Sequence, residues 1–176
     1  MSARAIPPHR NARRGWLAAL CAALMACGCA HAAETPASPP PSDTIGLAEA
    51  LQLAQAALDV CRAGGYPASV SVVDAKGLVR VTLRDDGAIK PPLAAPLKAA
   101  TAAAFDQAGS DMEPRAQADP VFAAQIATHP DIYNDHPGSL PLHRNGKLVG
   151  GLAIADVPHD VADGCARVAL ARFPLK

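Results

Sequence analysis

The chain has 176 residues with 16 basic and 16 acidic side chains; its first 29 residues hold four of the basic ones and none of the acidic, so the remainder carries a net charge of −4. A nucleic-acid binder needs a basic stripe to neutralise phosphates, and none is present, which excludes that class. Residues 43–176 are read as one domain, long enough for a single hydrophobic core.

Residues 1–29 read as an export signal, with Arg4, Arg10, Arg13 and Arg14 ahead of the apolar run Trp16 to Ala26. That run is too short for a permanent membrane span. Ala30-His31-Ala32 fits a small-x-small cleavage site, whereas Leu24-Met25-Ala26-Cys27 fits a bacterial lipobox in which Cys27 is lipidated, and the lipobox is the favoured reading. Residues 30–42 are a Pro-rich linker whose stretch Glu34 to Ser42 makes an extended tether. The expected location is therefore outside the cytoplasm: periplasmic or tethered to the outer membrane as a lipoprotein, or else secreted, with membrane contact only through the lipid.

The first predicted helix runs from Leu47 to Ala63, with Leu47, Leu51, Ala54, Leu58 and Cys61 on one face. Gly46 serves as its N-cap, Glu49 is placed to reach back to the free N–H groups, and Gly64-Gly65 ends it. Ala68 to Val73 and Leu78 to Leu83 alternate as strands, and Asp74-Ala75-Lys76-Gly77 joins them as an antiparallel hairpin. Pro91, Pro92 and Pro96 punctuate the start of an alanine-rich helix that continues through Phe105. Residues 113–127 show weaker helical periodicity, with Val121, Phe122 and Ile126 on one side and Pro120 limiting where a helix begins. His129 to Gly138 reads as loop.

Leu140 to His143 and Leu148 to Ala155 form a second hairpin through Asn145-Gly146, and Gly150-Gly151 in the return strand admits a close backbone or ligand. The last helix follows Pro158, with Asp156 as its cap and Val161, Cys165, Val168 and Ala169 toward the core. Two hairpins pairing into one antiparallel sheet with helices packed against it give an α+β fold of two or three layers. Cys61 and Cys165 are the cysteines of the folded part. Two buried free thiols are the expected state, with a bridge between them as the alternative.

The stretch from Ser69 to Ala104 carries a strand closed by Asp74-Ala75-Lys76-Gly77, the turn Arg84-Asp85-Asp86-Gly87-Ala88 and the helical run Lys98-Ala99-Ala100-Thr101-Ala102. This pattern resembles the GlcG/HbpS-like haem-binding proteins, which include domains similar to the PduO C-terminal domain, and the likeness extends over residues 45–172. Two departures lie downstream, where Gly138-Ser139-Leu140-Pro141 and Leu152-Ala153-Ile154-Ala155-Asp156 replace the family's G-G-x-P and I-G-V-S-G. Gly46 stands where family members usually carry Thr.

The resemblance implies haem as cofactor, with Lys98 and Thr101 on the signature helix and Thr101 beside the iron. A hydroxyl is a weak iron ligand compared with imidazole or thiolate. The loop histidines His129 and His136, together with Tyr133, are therefore a second candidate site, with His136 as metal ligand. Arg84 is a candidate partner for a propionate through its planar fork. His143 and His159 are expected to be structural or solvated.

The chain lacks G-x-S-x-G, HExxH and phosphate-loop motifs, so nothing in the residues supports catalysis. The leading expectation is an exported protein that binds haem or a related tetrapyrrole for sensing or scavenging. Its expected partners are further copies of itself and an envelope protein. A non-catalytic oligomeric interaction module of a sensor or transport system is the alternative, and the resemblance adds an accessory role in small-acid catabolism as a third.

Overall fold

In Ser69–Asp74 (β1) Val70 and Val72 share one face while Val73, with the small Ser69 and Ser71, occupies the other, so the strand can be covered on both sides, and every residue of it is buried. A computed structural model describes residues 43–175; the expected export signal, with Cys27, and the expected linker lie outside the described residues. The chain runs from Leu47–Ala63 (α1) through β1 to Val79–Arg84 (β2), then Ala94–Phe105 (α2), Gly109–Ala118 (α3) and Pro120–Ala127 (α4). It finishes with Ser139–Arg144 (β3), Lys147–Ala155 (β4) and His159–Arg172 (α5). The four strands form one antiparallel sheet in the order β2-β1-β4-β3. The α+β architecture read from the sequence holds.

Turn chemistry sets both hairpins. Asp74 Oδ1 accepts from the N–H groups of Lys76 and Leu78 at 2.9 and 3.0 Å, so the first turn is held by the aspartate's own side chain. In the second, Asn145 and Gly146 take φ of 52° and 76°, the left-handed pair that matches the twist of the flanking strands.

The sheet separates two apolar layers. Val70 and Val72 lie opposite Ile154 and Leu152, and with them face α1 and α5. Val73 and Ala153 face the other way and pack on Ala99 and Ala103 of α2. A third cluster, Ala102, Met112, Phe122 and Ile126, joins α2 to α3 and α4, with Phe105 edge-on to Phe122 at 5.2 Å between ring centroids.

Several expectations are corrected. Cys61 and Cys165 are bridged, because α1 and α5 lie side by side on one face of the sheet and bring their Cα atoms within 5.5 Å. The buried arc of α1 is Ala50, Leu53, Ala54, Ala57, Leu58 and Cys61, whereas Leu47 and Leu51 are exposed. Sandwiching between α5 and the sheet turns the small alanines inward. Glu49 pairs with Arg144 of β3 rather than reaching back to cap its own helix.

The weakly helical stretch 113–127 is two helices. Proline at 120 forces Asp119 out of helical geometry, and the Asp119 carboxylate then caps α4 by accepting from Val121 and Phe122 N–H at 3.0 and 3.1 Å. Phe122 and Ile126 are buried as expected, but Val121 is exposed. In α5 the buried positions are Ala162, Cys165, Ala166 and Ala169, with Val168 largely exposed. Pro158, not Asp156, is the N-cap of α5; Asp156 turns the chain out of β4 with φ of 72°.

Candidate functional site

A cleft of about 650 Å³ opens where three segments meet. One wall is the entry to α2, with Lys90, Pro91, Leu93 and Lys98; another is the loop before β3, with Asn134 and His136; the third is the turn from β4 into α5, from Ala155 to His159. Its volume falls in the range of small-molecule sites. The fold builds this cleft because α2 lies close enough to β4 for the Lys98 side chain to run between them.

Lys98 is only 4 % exposed. Its Nζ donates to the carbonyls of Pro137 at 2.7 Å and Ile154 at 3.3 Å, fastening the loop and β4 to α2. Burial lowers its pKa from 10.5 to about 8, against the opposing pull of the Asp156 and Glu113 carboxylates. The folded state therefore gives up this proton before the unfolded chain does, so this group's contribution to stability rises with pH between about 8 and 10.5. The stability of the wild type relative to Lys98→Met, followed by chemical denaturation, is expected to grow across that window and to be flat below it. A difference independent of pH would show an ordinary exposed lysine.

Thr101 lies one turn on and is completely buried. Its hydroxyl donates to the Leu97 carbonyl at 2.7 Å and accepts from the Asn134 N–H at 2.7 Å. Thr101 thus pins the loop that carries His136 and is not among the residues that line the cleft.

His136 lines the cleft, and its Nδ1 lies 2.8 Å from Oε1 of Glu113 on α3. His159, the first residue of α5, lines the same cleft and places its Nδ1 3.7 Å from that same carboxylate oxygen. The two imidazole centroids are 5.0 Å apart. His159, expected from the sequence to be structural or solvated, instead lines the cleft, and the sequence does not single out Glu113; both sit 23 residues from His136 along the chain, so only the fold brings the three together.

The other candidates are elsewhere. Tyr133 packs edge-on to Phe105 and His129, with centroids 5.2 and 6.0 Å away, in the small core between α2 and α4. Arg84 is spent on its own turn, donating to the carbonyls of Ala88 and Lys90, the latter at 3.0 Å. Asp85 beside it pairs with Arg62 at 3.0 Å. The Gly87 N–H and the Arg62 guanidinium hold its carboxyl below the usual carboxylate range against the cost of burial. His143 pairs with Asp106 at 2.8 Å, away from the cleft lining.

A family model described as haem degrading protein HbpS-like matches residues 45–171. The chain belongs to the HbpS-like family. Among solved structures, this HbpS-like chain is similar to the crystal structure of HbpS, with 28% identity over 77% of this chain and 94% of the other and a TM-score of 0.67. A double mutant of Streptomyces reticuli HbpS shows 31% identity over 77% and 90% of the two chains, with a TM-score of 0.64. The crystal structure of a PduOC:heme complex shows 27% identity over 76% and 97%, with a TM-score of 0.68. No curated protein matches the chain.

Proposed function

We propose that the cleft beside α2 binds haem or a related tetrapyrrole, and that the protein does so outside the cytoplasm, in sensing or scavenging. Membership of the HbpS-like family and the likeness to a haem-bound PduOC structure support this reading. The observation that carries it is the pairing of two half-exposed imidazoles, His136 and His159, with apolar walls at Pro91, Leu93 and Val157. Neutral imidazole is a strong axial ligand for haem iron, whereas a threonine hydroxyl is not. The residues present fit the group. His136 or His159 would supply the iron ligand, Lys90 on the cleft lining would offer a cation for a propionate, and Thr101 acts through the loop that it pins. The basic leader and the lipobox at Cys27 support export and tethering.

Titration of the purified full chain with haemin is expected to give a saturable Soret shift. His136→Ala and His159→Ala are each expected to weaken it, and the double variant to abolish it. A shift of equal amplitude and midpoint in the double variant would place haem elsewhere, and its absence in the wild type would refute the reading.

A further inference from the structure

We propose that Glu113, His136 and His159 form a binding site for a divalent transition-metal ion of the zinc or ferrous class, open on one side to the cleft and drawing on the same two imidazoles as the proposed haem site, so that ion and haem compete. Their ligand atoms all lie within 4.8 Å of one another. One carboxylate oxygen, Glu113 Oε1, faces the Nδ1 atoms of both histidines at 2.8 and 3.7 Å. A tetrahedral ion bound at about 2.1 Å keeps its ligands about 3.4 Å apart. The observed separations bracket that value, so an ion enters with side-chain rotations alone.

The chemistry of the set points to the same class of ion. The two imidazoles are borderline nitrogen donors, and with one carboxylate they make a set that suits zinc and ferrous iron and suits calcium or magnesium poorly. Three protein ligands leave at least one coordination position free, the arrangement of sites that hold water or a small exogenous ligand. A plain ion pair accounts for the cluster less well. One carboxylate oxygen lies between two imidazoles whose centroids are 5.0 Å apart with a 33° tilt, and at 3.7 Å the His159 Nδ1 is beyond hydrogen-bond reach of it, so a hydrogen-bonded ion pair engages His136 alone. A single divalent ion satisfies all three groups at once.

Most of the set is held in place before any ion arrives. The His136 backbone is fixed by its own N–H donating to Asn134 Oδ1 at 3.2 Å, by the neighbouring Pro137 carbonyl bound to Lys98, and by Gly109, where any Cβ would fall less than 3.0 Å from the His136 carbonyl oxygen. His159 is set at the start of α5 by Pro158, and Glu113 is carried on α3. The three ligands thus come from three elements, so an ion would clip α3, the loop and α5 together. Both histidine side chains are about half exposed, which gives the ion a route in.

The test is titration of the chelator-stripped full chain with cobalt(II), read by ligand-field absorption, followed by displacement with zinc. One ion per chain is expected, with intense bands of a low-coordinate nitrogen and oxygen site. Glu113→Gln and His159→Ala are each expected to weaken binding by about tenfold to a hundredfold or more. His143→Ala, whose histidine pairs with Asp106 instead, is expected to bind as the wild type. No saturable bands in the wild type, or equal affinity in Glu113→Gln and His159→Ala, would overturn the proposal. A haemin titration of Glu113→Gln, which keeps both imidazoles, separates the two readings: lost cobalt binding with a retained Soret shift supports an ion site that needs the carboxylate where haem does not. Joint loss of both in this variant, with its fold intact by circular dichroism, would overturn the assignment of Glu113 as an ion ligand and make it a positioning residue for the imidazoles.

Discussion

Replacing Cys61 and Cys165 together by alanine is expected to lower the unfolding free energy by about 3–5 kcal/mol. The bridge joins α1 to α5 across a sequence separation of 104 residues. In the chain-entropy account, closing a loop of about 100 residues restricts the denatured chain by about 4.7 kcal/mol, and loss of native disulfides from small exported domains costs about 2–5 kcal/mol. Alanine is the appropriate replacement because both sulfurs are buried among apolar side chains, where serine would add an unpaired hydroxyl. Denaturation with and without reductant checks the prediction. The wild type should fall toward the variant when reduced, while the variant should be indifferent to reductant. Equal midpoints for the two proteins under oxidising conditions would show that the bridge does not form.

Gly151→Ala should be nearly as damaging, at about 3 kcal/mol, because it forces extra volume into a closed contact. A Cβ at this position would fall less than 3.0 Å from the Ala99 carbonyl oxygen and 3.2 Å from Cγ2 of Val73. The oxygen belongs to the backbone of α2 and cannot rotate aside, so the helix must lift from β4. Lys98 and Thr101 ride on that helix, so haemin and cobalt binding should weaken along with stability. Gly164→Ala is the control. It lies in α5 with no atom within 4 Å of the new Cβ, and should be neutral or stabilise by up to about 1 kcal/mol. Parallel melts of the two variants decide the matter, and equal effects would contradict the close packing of α2 on β4.

The local structure was largely legible. Asp74-Ala75-Lys76-Gly77 and Asn145-Gly146 announced both hairpins because their conformations depend on side chains within the turn itself. The alanine run of α2 and the close backbone approach at Gly150-Gly151 were likewise readable, the latter because only a missing side chain permits it. Faces were less so. Leu47, Leu51, Val121 and Val168 fit a periodic apolar stripe yet stand exposed, because the buried arc of a helix is set by which neighbours it meets.

The candidate site divides in the same way. Lys98, Thr101 and His136 could be singled out from the signature helix and the loop, but the hydrogen bonds by which Lys98 and Thr101 hold the loop and β4 reach 33 to 56 residues along the chain. The union of Glu113, His136 and His159 depends on α3, the loop and α5 converging at one end of the sheet, as the Cys61–Cys165 bridge depends on α1 lying against α5. Sequence alone determined the hairpins and the signature helix, since each rests on interactions between residues a few positions apart, and the order of these elements pointed to the α+β plan, whose sheet is closed by the long-range pairing of β1 with β4. Tertiary structure alone decided the disulfide, the role of Thr101 as a loop anchor and the three-residue cluster, since these are distances between segments whose separation the packing of helices on the sheet fixes.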